Sequence, residues 1–229
     1  MPGKKTAAPE RTYTISLAHR KARGSGHERL GEILAAAKAL FVEHGVENVS
    51  TRRIAERVGI SQTALFAYYR SKEEILGQLV RNFFVGLGET LAESDRAASG
   101  HRDWLRRTLA GYLAYGLAHP DEYRLAFMVI KAYRKPYNAE EFEPGEGYRA
   151  GIPVLLALAN RIEAAIKAGV IRGDLGSPML VAQAFWVSMH GLVAALIARP
   201  RPHLPWEDLD ALNAAQTEIL LNGLLDGSA

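Results

Sequence analysis

The sequence predicts an all-α protein: a small N-terminal helix-turn-helix bundle followed by a larger C-terminal helical domain. Three observations carry this. Residues 49–74, VSTRRIAERVGISQTALFAYYRSKEE, hold serine caps and a glycine turn at helix-turn-helix spacing. Apolar residues recur every three or four positions along most of the chain, with no period-two alternation. Near residue 100 clustered bases give way to longer, more apolar segments.

Residues 1–27 carry Lys4, Lys5, Arg11, Arg20, Lys21 and Arg23 against a single acid, Glu10. Pro2, Pro9 and Gly24-Ser25-Gly26 mark a basic arm with little fixed structure near its ends. Such an arm lies along phosphates or in a minor groove, or is only a solvated tail; the sequence leaves both open. Ser25 and Glu28 are spaced as a capping box, after which Leu30, Ile33, Leu34, Ala37, Leu40 and Phe41 form one apolar stripe ending at His44-Gly45.

Ser50 caps the next helix, with Val49 and Ile54 as a hydrophobic staple, and Gly59 ends it. Ser61 opens the third helix, with Ile60 and Leu65 as its staple. Ser71 and Glu74 form a capping box for a fourth, reaching about Glu93. In a helix-turn-helix the second helix enters the major groove. The net charge of +3 is too small to argue nucleic-acid binding, but Arg52, Arg53, Arg57, Arg70 and Lys72 crowd this segment, only partly offset by Glu56 and Glu73.

Further helices are expected over Asp103–Leu117, from Pro120 through Tyr133, over Tyr148–Ala168, Pro178–Ala198 and Glu207–Leu225, with a Pro-, Gly- and Glu-rich loop at 134–147. The division is therefore a basic arm at 1–27, a helix-turn-helix domain at 28–75 with its last helix continuing to about 93, and a helical domain at 94–229. Leu180, Val181, Phe185, Leu192, Leu196, Leu209, Leu212, Ile219, Leu220 and Leu224 leave the last two helices apolar on more than one face. A four-helix dimer interface covers that surplus, and a heavily buried protomer core is the competing account.

Absent cysteine excludes disulfides and thiolate metal sites. No uninterrupted apolar run has membrane-span length and no secretory h-region is present, so a cytoplasmic location and no membrane partner are expected. No Walker loop, G-x-S-x-G elbow or Glu-x-x-His pair appears. The stretch Gly145-Glu146-Gly147-Tyr148-Arg149-Ala150 imitates a dinucleotide fingerprint but follows an acidic loop and no strand. No enzyme, catalytic residue, cofactor or metal is expected.

Residues 28–80 resemble the DNA-binding domain of the TetR family of bacterial regulators. The resemblance runs through ILAAAKALFVEHG, the helix-turn-helix, the aromatic cluster Phe66-Tyr68-Tyr69 and the Ser71-Lys72-Glu73 step. Arg70 and Ala67 depart from common family choices beside the DNA surface. The later AFWVSMHGLVAAL resembles a subgroup marked by a Trp…His-Gly helix, here Trp186, His190 and Gly191. The resemblance implies a homodimer, an effector pocket in the C-terminal domain, and repression of a nearby gene relieved by a small molecule. A regulator acting without an effector is the alternative.

For the DNA surface, Gln62 and Thr63 open the recognition helix and suit base contacts, Gln to adenine and Thr to a thymine methyl or phosphate. Thr51 and Arg52 sit at a helix N-terminus, where backbone N–H groups favour phosphate. Tyr68 and Lys72 match family positions that touch the backbone of the duplex. Phe66 suits either a base methyl or the small core, and Tyr69 suits the core. For a small, largely apolar effector, Trp104, Tyr112, Tyr115, Phe127, Met128, Trp186, Met189 and His190 are the candidates, against the plain alternative of core packing.

Overall fold

The computed structural model describes residues 26–128, 146–198 and 208–225. Helix α1, Gly26–His44, buries Ile33, Ala37, Leu40 and Phe41, the expected stripe. A 3₁₀ turn at Val46–Asn48 leads to α2, Thr51–Val58, and α3 spans Gln62–Phe66. The hydroxyl of Ser50 accepts from the Arg53 N–H at 3.2 Å, and that of Ser61 from the Ala64 N–H at 3.1 Å. Each thereby satisfies a donor that the first helical turn leaves unpaired. Between them Gly59 takes φ 74°, the left-handed conformation that lacks a Cβ penalty only for glycine. Ile54, Ala55, Leu65 and Tyr69 then close a core with α1 and the start of α4. The Ser25 half of the first capping box and the arm up to residue 25 lie outside the described residues.

Helix α4, Lys72–Arg96, starts at the Ser71 cap, whose hydroxyl accepts from the Glu74 N–H at 3.2 Å. The Glu74 carboxylate reaches the N–H of Arg70, one residue beyond the usual capping box. At 25 residues and 1.5 Å per residue, α4 is about 37 Å long. Its start packs in the N-terminal head and its remainder forms one wall of the C-terminal body, against α5 (His101–Ala118), α6 (Pro120–Phe127), α7 (Glu146–Arg149) and α8 (Gly151–Lys167). Helix α9, Pro178–Ala198, covers α5 and α8, and α10, Leu209–Leu224, lies on α5. A further join between head and body is the pair Lys38 Nζ–Glu122 Oε1 at 2.6 Å, from α1 to α6.

The expected helices are present with shifted ends. Helix α6 stops at Phe127, short of Tyr133, with Met128 as its cap; residues 129–133 lie outside the description. The end of the expected 134–147 loop instead enters α7. There Gly147 meets α4 at Gly77 so closely that a Cβ would sit 2.7 Å from the Gly77 oxygen. Pro153 falls in the first turn of α8, where its missing N–H costs nothing. An antiparallel bridge joins Ile171 to Leu225; no strand forms among the described residues.

Two expectations about the last helices change. Val181, Phe185 and Leu224 are buried within the protomer, so they are not part of any surplus. Leu180, Val187 and Ile219 remain 53%, 55% and 72% exposed. Contrary to the expectation, α9 is by length and composition apolar enough to cross a membrane. It buries Val181, Phe185, Met189, Val193 and Ile197 in the body.

Candidate functional site

The first candidate surface is built by the N-termini of α2 and α3. The Gln62 amide donates to Thr51 Oγ1 at 2.9 Å, tying the two helix starts together, and Gln62 is exposed. Thr63 is exposed beside it, and Arg52 is exposed and paired with Glu56 at 2.9 Å along α2. Phe66 and Tyr68 are 46% and 37% exposed, a large aromatic area for so short a segment, while Tyr69 is buried as expected. Lys72 behaves differently from the expected phosphate contact. Its ammonium donates to Val46 O at 2.8 Å, Val49 O at 3.0 Å and Glu47 O at 3.3 Å. Three donors meet three carbonyls. Lys72 therefore clamps the α1–α2 connection to the start of α4.

The second candidate is a cavity of about 210 Å³ in the body. Phe84, Leu87 and Leu91 of α4 form one side, Leu155 and Leu158 of α8 another, and Tyr112, Phe127, Trp186 and Met189 close it. Four of the eight effector candidates thus meet in one apolar space. Trp104 lines a separate cavity. The Tyr115 hydroxyl donates to the Phe83 carbonyl at 3.0 Å, which makes it a packing residue. Met128 is 41% exposed at the end of α6 and lines neither cavity. His190 stands behind the wall, within ring contact of Tyr123, Phe127 and Trp186.

A polar chain backs this apolar space. The Trp186 indole N–H donates to Tyr112 Oη at 3.2 Å, Tyr112 Oη lies 3.2 Å from Tyr123 Oη, and Tyr123 Oη lies 2.6 Å from His190 Nδ1. Indole can only donate, so one arrangement uses every donor: Trp186 to Tyr112, Tyr112 to Tyr123, Tyr123 to the Nδ1 of a neutral His190. Burial favours that state. It holds the His190 imidazole below its ordinary value of 6.5 and raises both tyrosine hydroxyls. Sequence reasoning missed Tyr123, the hub of this chain, and the α4 and α8 leucines. The only sequence signal for Tyr123 was its spacing of four from Phe127.

Comparison with known proteins settles the family. Residues 33–79 match the bacterial regulatory proteins, tetR family, and residues 105–220 match the Tetracyclin repressor-like C-terminal domain, which alone spans over half the chain. The chain belongs to the TetR family. It is a DNA-binding transcriptional regulator. A TetR-like relative, the HTH-type transcriptional repressor Rv1474c of Mycobacterium tuberculosis, is 26% identical over 76% of this chain and 85% of its own length. The HTH-type transcriptional repressor AcnR of Corynebacterium diphtheriae is 36% identical over 35% of this chain and 47% of its own. The ketosteroid transcriptional regulator KstR2 of Mycobacterium tuberculosis has the same fold, with a TM-score of 0.62 at 21% identity, covering 86% of this chain and 95% of that one. The fatty acid degradation regulator FadR of Bacillus halodurans aligns at a TM-score of 0.67 and 17% identity, over 85% and 95%. The C-terminal match is to the TetR-like domain as a whole and does not mark out a Trp…His-Gly subgroup.

Proposed function

We propose that this TetR-family protein is a cytoplasmic homodimeric repressor that leaves its operator when a small, largely apolar effector enters the α4–α8 cavity. One observation carries the reading: α4 belongs to both functional parts. Its first residues, Lys72 and Ile75, are built into the head, and Phe84, Leu87 and Leu91 further along line the cavity. A ligand that prefers one tilt of α4 moves the head with it, and only such a preference shifts the equilibrium. The names of the relatives, repressors among them, support repression as the output.

The division into an arm at 1–27, a head at 28–75 and a body at 94–229 is retained with α4 as the joint. In the head, Gln62 and Thr63 take base edges, Thr51, Arg52 and Tyr68 take phosphates, and Phe66 rests on a base methyl. Lys72 acts by holding the turn that aims them. Dimerisation uses the exposed stripes Leu180, Ala184, Val187 and Gly191 on α9 and Ala211, Ala215 and Ile219 on α10. Apolar and small residues at spacings of three and four fit close helix packing between two copies. Two recognition helices then sit about 34–36 Å apart, one turn of DNA.

Spin labels on the two heads test the switch. An effector that releases DNA should change the distance distribution; release with unchanged distances contradicts the tilt. His190→Ala should weaken the effector response while DNA affinity is kept, because His190 anchors the chain behind Tyr112 and Trp186. An equal response in that mutant removes His190 from the mechanism. If no ligand that fills the cavity alters DNA binding, the chain regulates without an effector.

A further inference from the structure

The two helix starts of the head are joined by one side-chain bond. Gln62 Nε2–H donates to Thr51 Oγ1 at 2.9 Å, across 11 positions of sequence. No other hydrogen bond engages the Gln62 side chain among the described residues. The neighbouring hydroxyls are committed elsewhere: Ser50 Oγ accepts from the Arg53 N–H and Ser61 Oγ from the Ala64 N–H. Thr51 is the first residue of α2, so its hydroxyl has no carbonyl of its own helix to bond back to. It meets α3 instead. Gln62 opens α3 and is exposed, the place from which a recognition helix reaches base edges.

Hydrogen-bond accounting gives that bond a consequence for base reading. A primary amide carries two N–H donors and one carbonyl acceptor. With one N–H on Thr51, Gln62 keeps one donor and the acceptor. In the major groove only adenine presents the matching pair, N7 as acceptor and N6–H as donor. Guanine presents two acceptors, N7 and O6, and an amide with both N–H groups free can meet them. Thymine offers an acceptor alone and cytosine a donor alone. The bond to Thr51 therefore removes the second donor that guanine would need. It also fixes a long side chain before DNA arrives, which lowers the ordering cost of binding.

We propose that Thr51 is a positioning residue for base reading: its hydroxyl holds the Gln62 amide so that Gln62 selects adenine over guanine at one base pair of each half-site. The inference rests on the assignment of Gln62 to a base edge and adds the residue that sets its preference. The Thr51 O–H proton is not used by the Gln62 bond, so it stays available to a phosphate oxygen. Thr51 then joins the backbone of the duplex to the side chain that reads it.

The test is selection of duplexes from a random pool by the full-length protein. Competition follows between duplexes that differ only at the Gln62-dependent position, the one whose preference Gln62→Ala erases. The wild type should enrich adenine there. Thr51→Val, nearly the same shape, should cut the adenine-to-guanine ratio about tenfold, the scale of one misplaced hydrogen bond. Thr51→Ser, which keeps the hydroxyl, should retain the ratio. Loss of a phosphate bond from Thr51 lowers affinity on every duplex alike and cancels in the ratio. Thr51→Ala repeats the reading if Thr51→Val does not fold. An unchanged ratio in Thr51→Val, with affinity lowered uniformly, overturns the orienting role and leaves Gln62 as a base contact. Enrichment of guanine by the wild type overturns it too, because the Gln62 carbonyl would then be the group on Thr51. If Gln62→Ala alters no position, Gln62 reads no base, and the assignment beneath the proposal falls with it.

Discussion

Head and body meet along α4 but are held together in different ways. In the head the contacts are local. Ser50, Ser61 and Ser71 each cap the helix that follows within three residues, and Gly59 turns the chain by its own backbone preference. The longest tie described there, Lys72 to Val46, spans 26 positions. In the body the contacts that define the cavity wall are distant: Tyr123 to His190 spans 67 positions and Trp186 to Tyr112 spans 74. The body also keeps open apolar space between α4 and α8. The comparison teaches that the helix-turn-helix head is specified by short-range signals and the cavity of the body by what long-range packing leaves unfilled.

The sharpest way to break that comparison is to remove a head core residue. Leu65→Ala deletes a fully buried side chain from a five-residue helix and should cost about 2–5 kcal/mol. Circular dichroism during urea unfolding reads the loss. The tryptophans, Trp104, Trp186 and Trp206, all lie in the C-terminal part, so their fluorescence reports the body alone. An early, fluorescence-silent transition in this variant would show that head and body unfold separately.

Lys72→Met comes next, at about 1.5–3 kcal/mol, because it removes charge-assisted bonds to three carbonyls. DNA affinity should fall on specific and random duplexes alike. A variant with full stability and weakened DNA binding would restore Lys72 to the phosphate backbone. In the body, Tyr123→Phe removes the hub hydroxyl and should cost about 1–3 kcal/mol by orphaning its buried neighbours. Tyr112→Phe should couple to it non-additively in a double-mutant cycle, and strict additivity would dissolve the chain into separate bonds.

The smallest effect concerns pH. His190 has a folded value depressed below 6.5, so its contribution is fully present above about pH 6.5. It is lost as pH falls through the folded value, because the unfolded chain takes up the proton first. The urea midpoint of the wild type should therefore drop more between pH 7.5 and 5.5 than that of His190→Asn, which keeps an acceptor for Tyr123. Parallel drops would mean that His190 does not titrate in this range.

The same contrast explains what could be read from the sequence. Ser50, Gly59, Ser61 and Ser71 act on their immediate neighbours, so their spacing revealed the head and placed Gln62 and Thr63 on its outer surface. Lys72 was ambiguous in the sequence, because a lysine at a helix start beside a basic segment looks the same whether it faces phosphate or three carbonyls 23 to 26 positions away. In the body, Tyr112, Phe127, Trp186 and Met189 were legible as aromatic and Met positions, and they do meet in one cavity. Tyr115 and Met128 have the same composition signal and do not join it, since helix rotation and the end of α6 decide their direction. Thr51 was legible as a phosphate position; only the approach of α3 to α2 shows its hydroxyl on the Gln62 amide.

The most direct test of the central claim is selection of duplexes from a random pool by the purified protein, with the stoichiometry of the complex measured at increasing salt. The account predicts enrichment of one near-palindromic motif whose half-sites lie one helical turn apart. Two protomers should bind each site, affinity should fall as salt rises, and Gln62→Ala should shift the enriched bases. A pool that leaves the selection as random as it entered would contradict the reading of α3 as a recognition helix.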